Sequence, residues 1–235
     1  MKKPSMTFIP YIFSHEQINN LFRTCDTMCT PLKIMRYKLF AIPALLRLLY
    51  GTGLRVGEAI ALKISDIDLK NGLILISQSK NNQQRIVPVN QSLKEVLIQY
   101  YNERKRLPLL EKNNKDDYFF ISPSGIRLKG DDVYNWFKKA LKLCDIPHIG
   151  RYKGPRVHDL RHTFAVHSLK AQVDAGVDIY CALPILSVFL GHKNLKGTEQ
   201  YVRLTQEMFP DVIQMEDKIS SYIFPTSINL TQNEE

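Results

Sequence analysis

The chain has 235 residues, 44% of them hydrophobic, which is enough for a sizeable core in one large domain or two small ones. Lysine and arginine number 32 against 23 acidic residues, and the resulting charge of +9 suits a polyanionic partner, DNA, RNA or an anionic membrane surface. Four cysteines (Cys25, Cys29, Cys144, Cys181) are too sparse for a disulfide scaffold, no apolar core follows Met1-Lys2-Lys3-Pro4, and the most apolar stretch, Ile179 to Leu190, is too short to cross a bilayer; these features argue against a secreted or membrane-spanning class.

Residues 1–12 read as a tail or the end of a linker. Ser14-His15-Glu16-Gln17 is a capping box, with the Ser hydroxyl on a backbone amide and Gln17 reaching back. It predicts a helix to about Thr30. Tyr37 to Tyr50 is a strongly apolar, buried helix carrying Pro43, and Gly51-Thr52-Gly53 breaks it. A short helix over Leu54 to Leu62 follows. Arg55 and Glu58 lie three apart on it and, taken alone, read as a surface salt bridge. Gly72 to Ser79 alternates as a strand, and Arg85 to Val89 is a second one whose Pro88 marks a sheet edge. Lys80 opens the polar hairpin loop between them.

Gln91 to Arg106 is an amphipathic helix with Leu93, Val96, Leu97 and Tyr100 inward, and its basic end, Arg104-Lys105-Arg106, complements the helix dipole. Tyr118 to Ile121 is a short buried strand or extended run. Asp131 to Leu143 is a helix with Val133, Trp136, Phe137 and Leu141 inward and Lys138, Lys139 and Lys142 outward. His148 to Arg156 is a glycine-containing basic loop whose Arg151, Lys153 and Arg156 suit phosphate contacts, and Lys138 and Lys142 form either a solvated face or a DNA-facing one. Val173 to Cys181 reads as a long loop and Leu183 to Leu190 as an apolar helix, capped by Gly191. Gln206 to Tyr222 is a final helix with Met208, Val212, Met215 and Ile219 on one face, and 226–235 is expected to be a disordered tail. The fold class is therefore mixed, mainly α with a small antiparallel sheet or hairpin.

The chain is organised around His158 to Tyr201. His158 and Arg161, three apart, share one helix face. His192 and Tyr201 follow on later segments. Cationic or hydrogen-donating groups beside a phenol suit an anionic tetrahedral target, and a phosphodiester fits. Single histidines are more often structural than functional, and His162 and His167 are read that way.

These residues carry a resemblance. Gly51-Thr52-Gly53-Leu54-Arg55-Val56-Gly57-Glu58, His158-Asp159-Leu160-Arg161-His162, and Leu190-Gly191-His192 with Tyr201 nine positions on are similar, in order, to the boxes of the tyrosine recombinases, the phage integrase family. Lys80, ahead of Arg85-Ile86-Val87-Pro88-Val89, matches that family's hairpin lysine. The resemblance implies the tyrosine recombinase catalytic-domain fold over 13–225. It also implies a site-specific recombinase or integrase that breaks and rejoins duplex DNA through a 3′-phosphotyrosyl intermediate, with no metal, ATP or other cofactor. By match, Tyr201 is the nucleophile and Arg55 and Arg161 hold the non-bridging oxygens. His158 orients the site or takes the phenolic proton, His192 donates to a phosphate oxygen, Lys80 is the general acid, and Glu58 buttresses the arginine side. The family also implies a homotetramer on DNA joined through the 206–222 helix, accessory DNA-bending proteins, and action in the bacterial cytoplasm with no membrane.

Two departures accompany the match. The family's usual N-terminal DNA-clamping domain is absent by this reading, and the connection from Val173 to Pro184 looks long, as in integrases of mobile elements. A type IB topoisomerase-like enzyme, a non-catalytic DNA-binding protein of the same fold and, least of all, a metal-dependent nuclease are the competing expectations.

Overall fold

Ser14 opens the first helix as its sequence predicts. Its Oγ accepts from Gln17 N at 3.1 Å while Gln17 Oε1 accepts from Ser14 N at 3.0 Å, which completes the capping box of α1 (His15–Thr27). The computed structural model describes residues 9–28, 33–77, 84–107, 114–122, 125–148, 154–195, 197–199, 201, 202 and 204, with the backbone only over 33–40. The expected helix 206–222, the tail 226–235, Lys80, Arg151 and Lys153 lie outside the described residues.

The apolar run becomes α2 (Lys33–Thr52), longer than predicted at both ends and with Pro43 inside it. Leu45, Leu46, Leu48 and Leu49 are all buried, because α1, α4, α5 and α6 pack around this helix. Gly51 and Thr52 still belong to it, so the break falls on Gly53. There φ is +61°, and a Cβ would stand 2.5 Å from Phe164 and 2.7 Å from Leu190. Glycine answers both the backbone conformation and the close approach.

After α3 (Val56–Ala59) and a 3-10 turn at Ile64–Asp66 comes a three-stranded antiparallel sheet in the order β1-β2-β3. Its strands are β1 (Ile67–Asp68), β2 (Leu73–Ile76) and β3 (Arg85–Pro88). The alternation reads out as expected: Ile74, Ile76 and Val87 are buried, whereas Leu73, Leu75 and Ile86 are exposed. Pro88 is on an edge strand, again as expected. The two-residue β1 carries too short a pattern to be read beforehand. Tyr118 to Ile121 is an extended run joined by isolated bridges to Lys63 and Arg127.

The helices α4 (Gln91–Lys105) and α5 (Gly130–Leu143) bury the predicted Leu93, Leu97, Tyr100, Val133, Trp136, Phe137 and Leu141. Arg104, at the basic end of α4, is fully buried, and its guanidinium donates to Tyr118 O at 3.1 Å.

The expected long loop after Val173 is a correction. α6 (Asp159–Asp174) continues through it and α7 (Ile179–Leu190) starts early, leaving residues 175–178 as the connection. Asp178 caps α7, its side chain accepting from Tyr180 N at 2.7 Å and Cys181 N at 3.3 Å. A second apolar cluster joins α6, α7 and the helical residues around Tyr201 through Val166, Leu169, Leu183, Leu186, Leu190 and Leu204. No helix among the described residues is long and apolar enough to cross a membrane.

Candidate active site

The C-terminus of α7 is the anchor of the site. Gly191 adopts φ +67°, Gly191 N donates to Val188 O, and His192 N donates to Ser187 O, both at 3.0 Å. This reciprocal pair is a Schellman cap, so the Leu-Gly-His sequence is a helix stop that sets His192 just beyond the last turn. The remaining last-turn carbonyls, which have no intrahelical partner, go to two guanidinium groups. Arg161 NH2 donates to Leu190 O at 2.8 Å and Arg85 Nε donates to Phe189 O at 3.1 Å. Cations at a helix C-terminus are also favoured by its dipole.

Arg161 reaches further. Its NH1 donates to Gly53 O at 2.7 Å, so one side chain that is 2% exposed ties the end of α2 to the end of α7. Burial and the Arg55 cation push its pKa down to about 10, which leaves it charged at neutral pH.

Arg55 precedes α3. Glu58 accepts from Arg55 N at 3.1 Å and from Arg55 NH1 at 2.9 Å, and it accepts Arg85 NH2 at 2.8 Å. The surface salt bridge that the spacing suggested is therefore a buried joint: the Glu58 side chain is 3% exposed and that of Arg85 9%. Burial alone would raise the Glu58 pKa, but the hydrogen bonds and charges of Arg85 and Arg55 outweigh it and hold the carboxyl below its usual range. Arg85 is the residue that the sequence did not single out. In the strand pattern it is only an end position, and no local signal announces a partner 27 positions earlier or 104 later.

On the opposite wall stand the imidazoles and the phenol. His158 caps the head of α6 and is exposed, and burial of its ring face together with Arg161 and Arg156 lowers its pKa. His192 Nδ1 is 2.8 Å from Thr198 Oγ1, and its ring stacks on Tyr201 with centroids 6.2 Å apart. Tyr201 is 1% exposed, and its hydroxyl lies 3.1 Å from His162 Nδ1. His162, read from the sequence as a structural histidine, is the buried ring beside that hydroxyl, whereas His167 sits elsewhere, against Tyr50 at 3.0 Å and His15. Desolvation by burial and neighbouring cations push the pKa of His162 down to about 3 and that of His192 to about 4, so both rings are neutral at pH 7.

The structure thus brings Arg55, Glu58, His158, Arg161, His192 and Tyr201 onto the facing ends of α2, α3, α6 and α7. Arg156 stands beside them, its guanidinium bound to Asp159 at 2.7 Å. Lys138 and Lys142 are exposed on α5, a helix that packs on α1 and α2, and they border a shallow depression with Asn135 and His148. Among the described residues no three His, Cys, Asp or Glu side chains converge as metal ligands would.

Three guanidinium groups, the Glu58 carboxylate, three neutral imidazoles and a phenol lie together here, a cluster of net positive charge that suits an anion. The chain belongs to the phage integrase family, whose pattern matches residues 12–208. It is 32% identical over 206 residues to tyrosine recombinase XerD of Oceanobacillus iheyensis, covering 88% of this chain and 62% of that protein. It is 31% identical over 201 residues to XerC of the same organism, covering 85% and 58%. The crystal structure of XerA recombinase superposes with a TM-score of 0.64 at 24% identity, over 89% of this chain and 66% of that one. The fold is that of the tyrosine recombinase catalytic domain. The chain spans about three-fifths of the length of the curated relatives it matches.

Proposed function

We propose that the protein is a site-specific DNA recombinase that cuts and rejoins duplex DNA through a 3′-phosphotyrosyl bond to Tyr201. The observation that carries this reading is the grouping of Arg55, Arg85 and Arg161 about Glu58, with the Tyr201 hydroxyl close by. Arg55 and Arg161 hold the non-bridging oxygens of the scissile phosphate and stabilise charge as the fifth oxygen adds. Arg161 is already aimed by two carbonyls, so little reorganisation accompanies binding. His192, oriented by Thr198 at Nδ1, offers Nε2 to a phosphate oxygen. Lys80, by its match to the family's hairpin lysine, protonates the leaving 5′ oxygen. The phosphotyrosyl bond conserves the energy of the broken one, so resealing needs no ATP, and the arginines supply the charge that a metal ion supplies in many nucleases.

The substrate is double-stranded DNA in the bacterial cytoplasm, with Arg151, Lys153, Arg156, Lys138 and Lys142 as backbone contacts. The working assembly is a homotetramer, aided by DNA-bending proteins. α7 supports that reading, because it exposes Tyr180, Ile185 and Val188 along one face. The 206–222 segment of a neighbouring copy, with Met208, Val212, Met215 and Ile219, is its proposed cover. Removing residues from Gln206 onward is expected to abolish strand exchange and spare DNA binding.

Covalent trapping tests the chemistry. The protein is incubated with a randomised pool of nicked duplexes in EDTA and low salt, then denatured. An adduct with wild type and none with Tyr201→Phe is the expected result. Adducts with both proteins would assign the nucleophile elsewhere. None with either, from a folded protein that binds DNA, would favour a binding function.

A further inference from the structure

The phenolic proton of Tyr201 has to leave as its oxygen attacks. The imidazole hydrogen-bonded to that oxygen is His162, at 3.1 Å from Nδ1. We propose that His162 is a further catalytic residue: in the tautomer protonated at Nε2, its Nδ1 accepts the phenolic proton while the Tyr201 oxygen attacks phosphorus. This rests on the recombinase reading above.

Placement supports the role. His162 follows Arg161 directly on α6, so the proton acceptor and the phosphate-holding guanidinium ride on one rigid element. The ring is buried and fixed on two sides, edge-on to His158 (centroids 4.9 Å apart, planes at 87°) and tilted against Tyr201 at 5.6 Å. His192, the other imidazole beside Tyr201, has its Nδ1 engaged by Thr198 at 2.8 Å. The family resemblance has His158 orient the site or take the phenolic proton; here its ring packs on His162.

The step balances as follows. The Tyr201 O–H bond breaks and Nδ1–H forms; the phenolic oxygen bonds to phosphorus, and the bond from phosphorus to the 5′ oxygen breaks. That oxygen takes its proton from the general acid, assigned above to Lys80. In resealing, the His162 imidazolium returns its proton to the departing phenolate.

The charged and titratable groups facing the ring are Arg156 and His158 just ahead of α6, Arg161 on it, His192 from beyond α7, and Tyr201. Burial and this positive surround hold the free protein's ring neutral, with its pKa down at about 3. The lone pair is therefore available at rest, yet transfer from a phenol is strongly uphill. A phosphodiester between Arg55 and Arg161 brings a negative charge that offsets the surround and makes the imidazolium easier to form. Proton removal is thereby coupled to the arrival of DNA, and the unbound protein keeps its nucleophile as a buried, protonated phenol.

The test uses the full chain and a nicked duplex of the sequence recovered by trapping. It is made in two forms: the ordinary phosphodiester, and a 5′-bridging phosphorothiolate whose thiolate leaves without a proton. Rates of adduct formation are compared for wild type, His162→Gln and His162→Ala, alongside DNA affinity and thermal unfolding. The expected result for His162→Gln is a loss of about 10²-fold or more on both substrates, at unchanged affinity and with a folded protein. The acidic fall-off that wild type shows in its pH–rate profile should also be missing. A wild-type rate in His162→Gln overturns the proposal. So does a loss rescued by the phosphorothiolate, which would put His162 on the leaving-group side, and so does a faster rate, which would make the contact a latch. His162→Ala distinguishes loss of the base from poor accommodation of glutamine. Absence of any adduct with wild type is a different failure, that of the recombinase reading itself.

Discussion

The heads of α3 and α6 are built alike. In each, an arginine stands three residues before a buried carboxylate that accepts both the arginine's own backbone N–H and its guanidinium: Arg55 with Glu58 at 3.1 and 2.9 Å, Arg156 with Asp159 at 2.8 and 2.7 Å. The difference is the third partner. Glu58 also takes Arg85, whose Nε holds Phe189 O, so the first clamp joins α3, β3 and α7. In the second clamp Asp159 ties Arg156 to the first turn of α6. One local motif thus serves as a structural joint in one place and a helix cap in the other. The sequence spacing, Arg-x-x-Glu against Arg-x-x-Asp, does not distinguish them.

The most severe way to break that comparison is Glu58→Gln. The amide keeps the shape but removes the counter-ion of Arg85, which is only 9% exposed. Removing one partner of a buried pair costs about 3–5 kcal/mol, because the other charge is left uncompensated. Urea unfolding should register that loss at pH 7, with adduct formation slowed as Arg55 loses its brace. The acid limb should change too. The folded pKa of Glu58 lies below its unfolded value of about 4.3, so the pair's contribution is complete above that value and is lost as pH falls through the lower folded one. Stability of the variant should depend less on pH in that acid window. A loss under about 1 kcal/mol would mean that the joint is no stronger than a surface pair.

What could be read in advance follows the same division between local and distant partners. The Ser14 capping box, the Gly191 stop, the β2 alternation and the buried faces of α4 and α5 are local signals, and the structure carries them all. α6 offered no such face. It buries Asp159, Arg161, His162, Thr163 and His167 alongside Leu160, Ala165 and Val166, and all of these polar side chains but Asp159 bond to distant groups. Arg161 finds Gly53 O 108 positions away, a relation that no window of sequence contains. Arg85 was missed for that reason, and the His162 contact with Tyr201, 39 positions away, is equally hidden, whereas Arg55, Arg161, His192 and Tyr201 were singled out through the family's ordered boxes. The connection before α7 was read as a long loop, but Asp178 caps an earlier helix start.

Asp159→Asn tests the second clamp. Asparagine can still accept from Arg156 N, and the Arg156 side chain, 29% exposed, can turn to water. Two guanidinium hydrogen bonds, one short at 2.7 Å and one long at 3.4 Å, then lose their charged acceptor, about 1 kcal/mol in the same urea experiment. A loss as large as that of Glu58→Gln would erase the distinction between joint and cap.

The smallest expected change in stability comes from removing the second clamp whole, Arg156→Gln together with Asp159→Asn. Replacing both partners leaves no stranded charge, so unfolding should shift by about 0.5 kcal/mol or less relative to Asp159→Asn. The informative readout is DNA binding. The double change removes one positive and one negative charge, so the net charge of the chain is unaltered, and an affinity governed by bulk charge predicts an unchanged salt dependence. An Arg156 guanidinium that its carboxylate aims at a phosphate predicts otherwise: the slope of log affinity against log salt should become shallower by about 0.9, the contribution of one lost phosphate contact. An unchanged slope with unchanged affinity would confine the clamp to capping α6 and remove Arg156 from the DNA-binding surface.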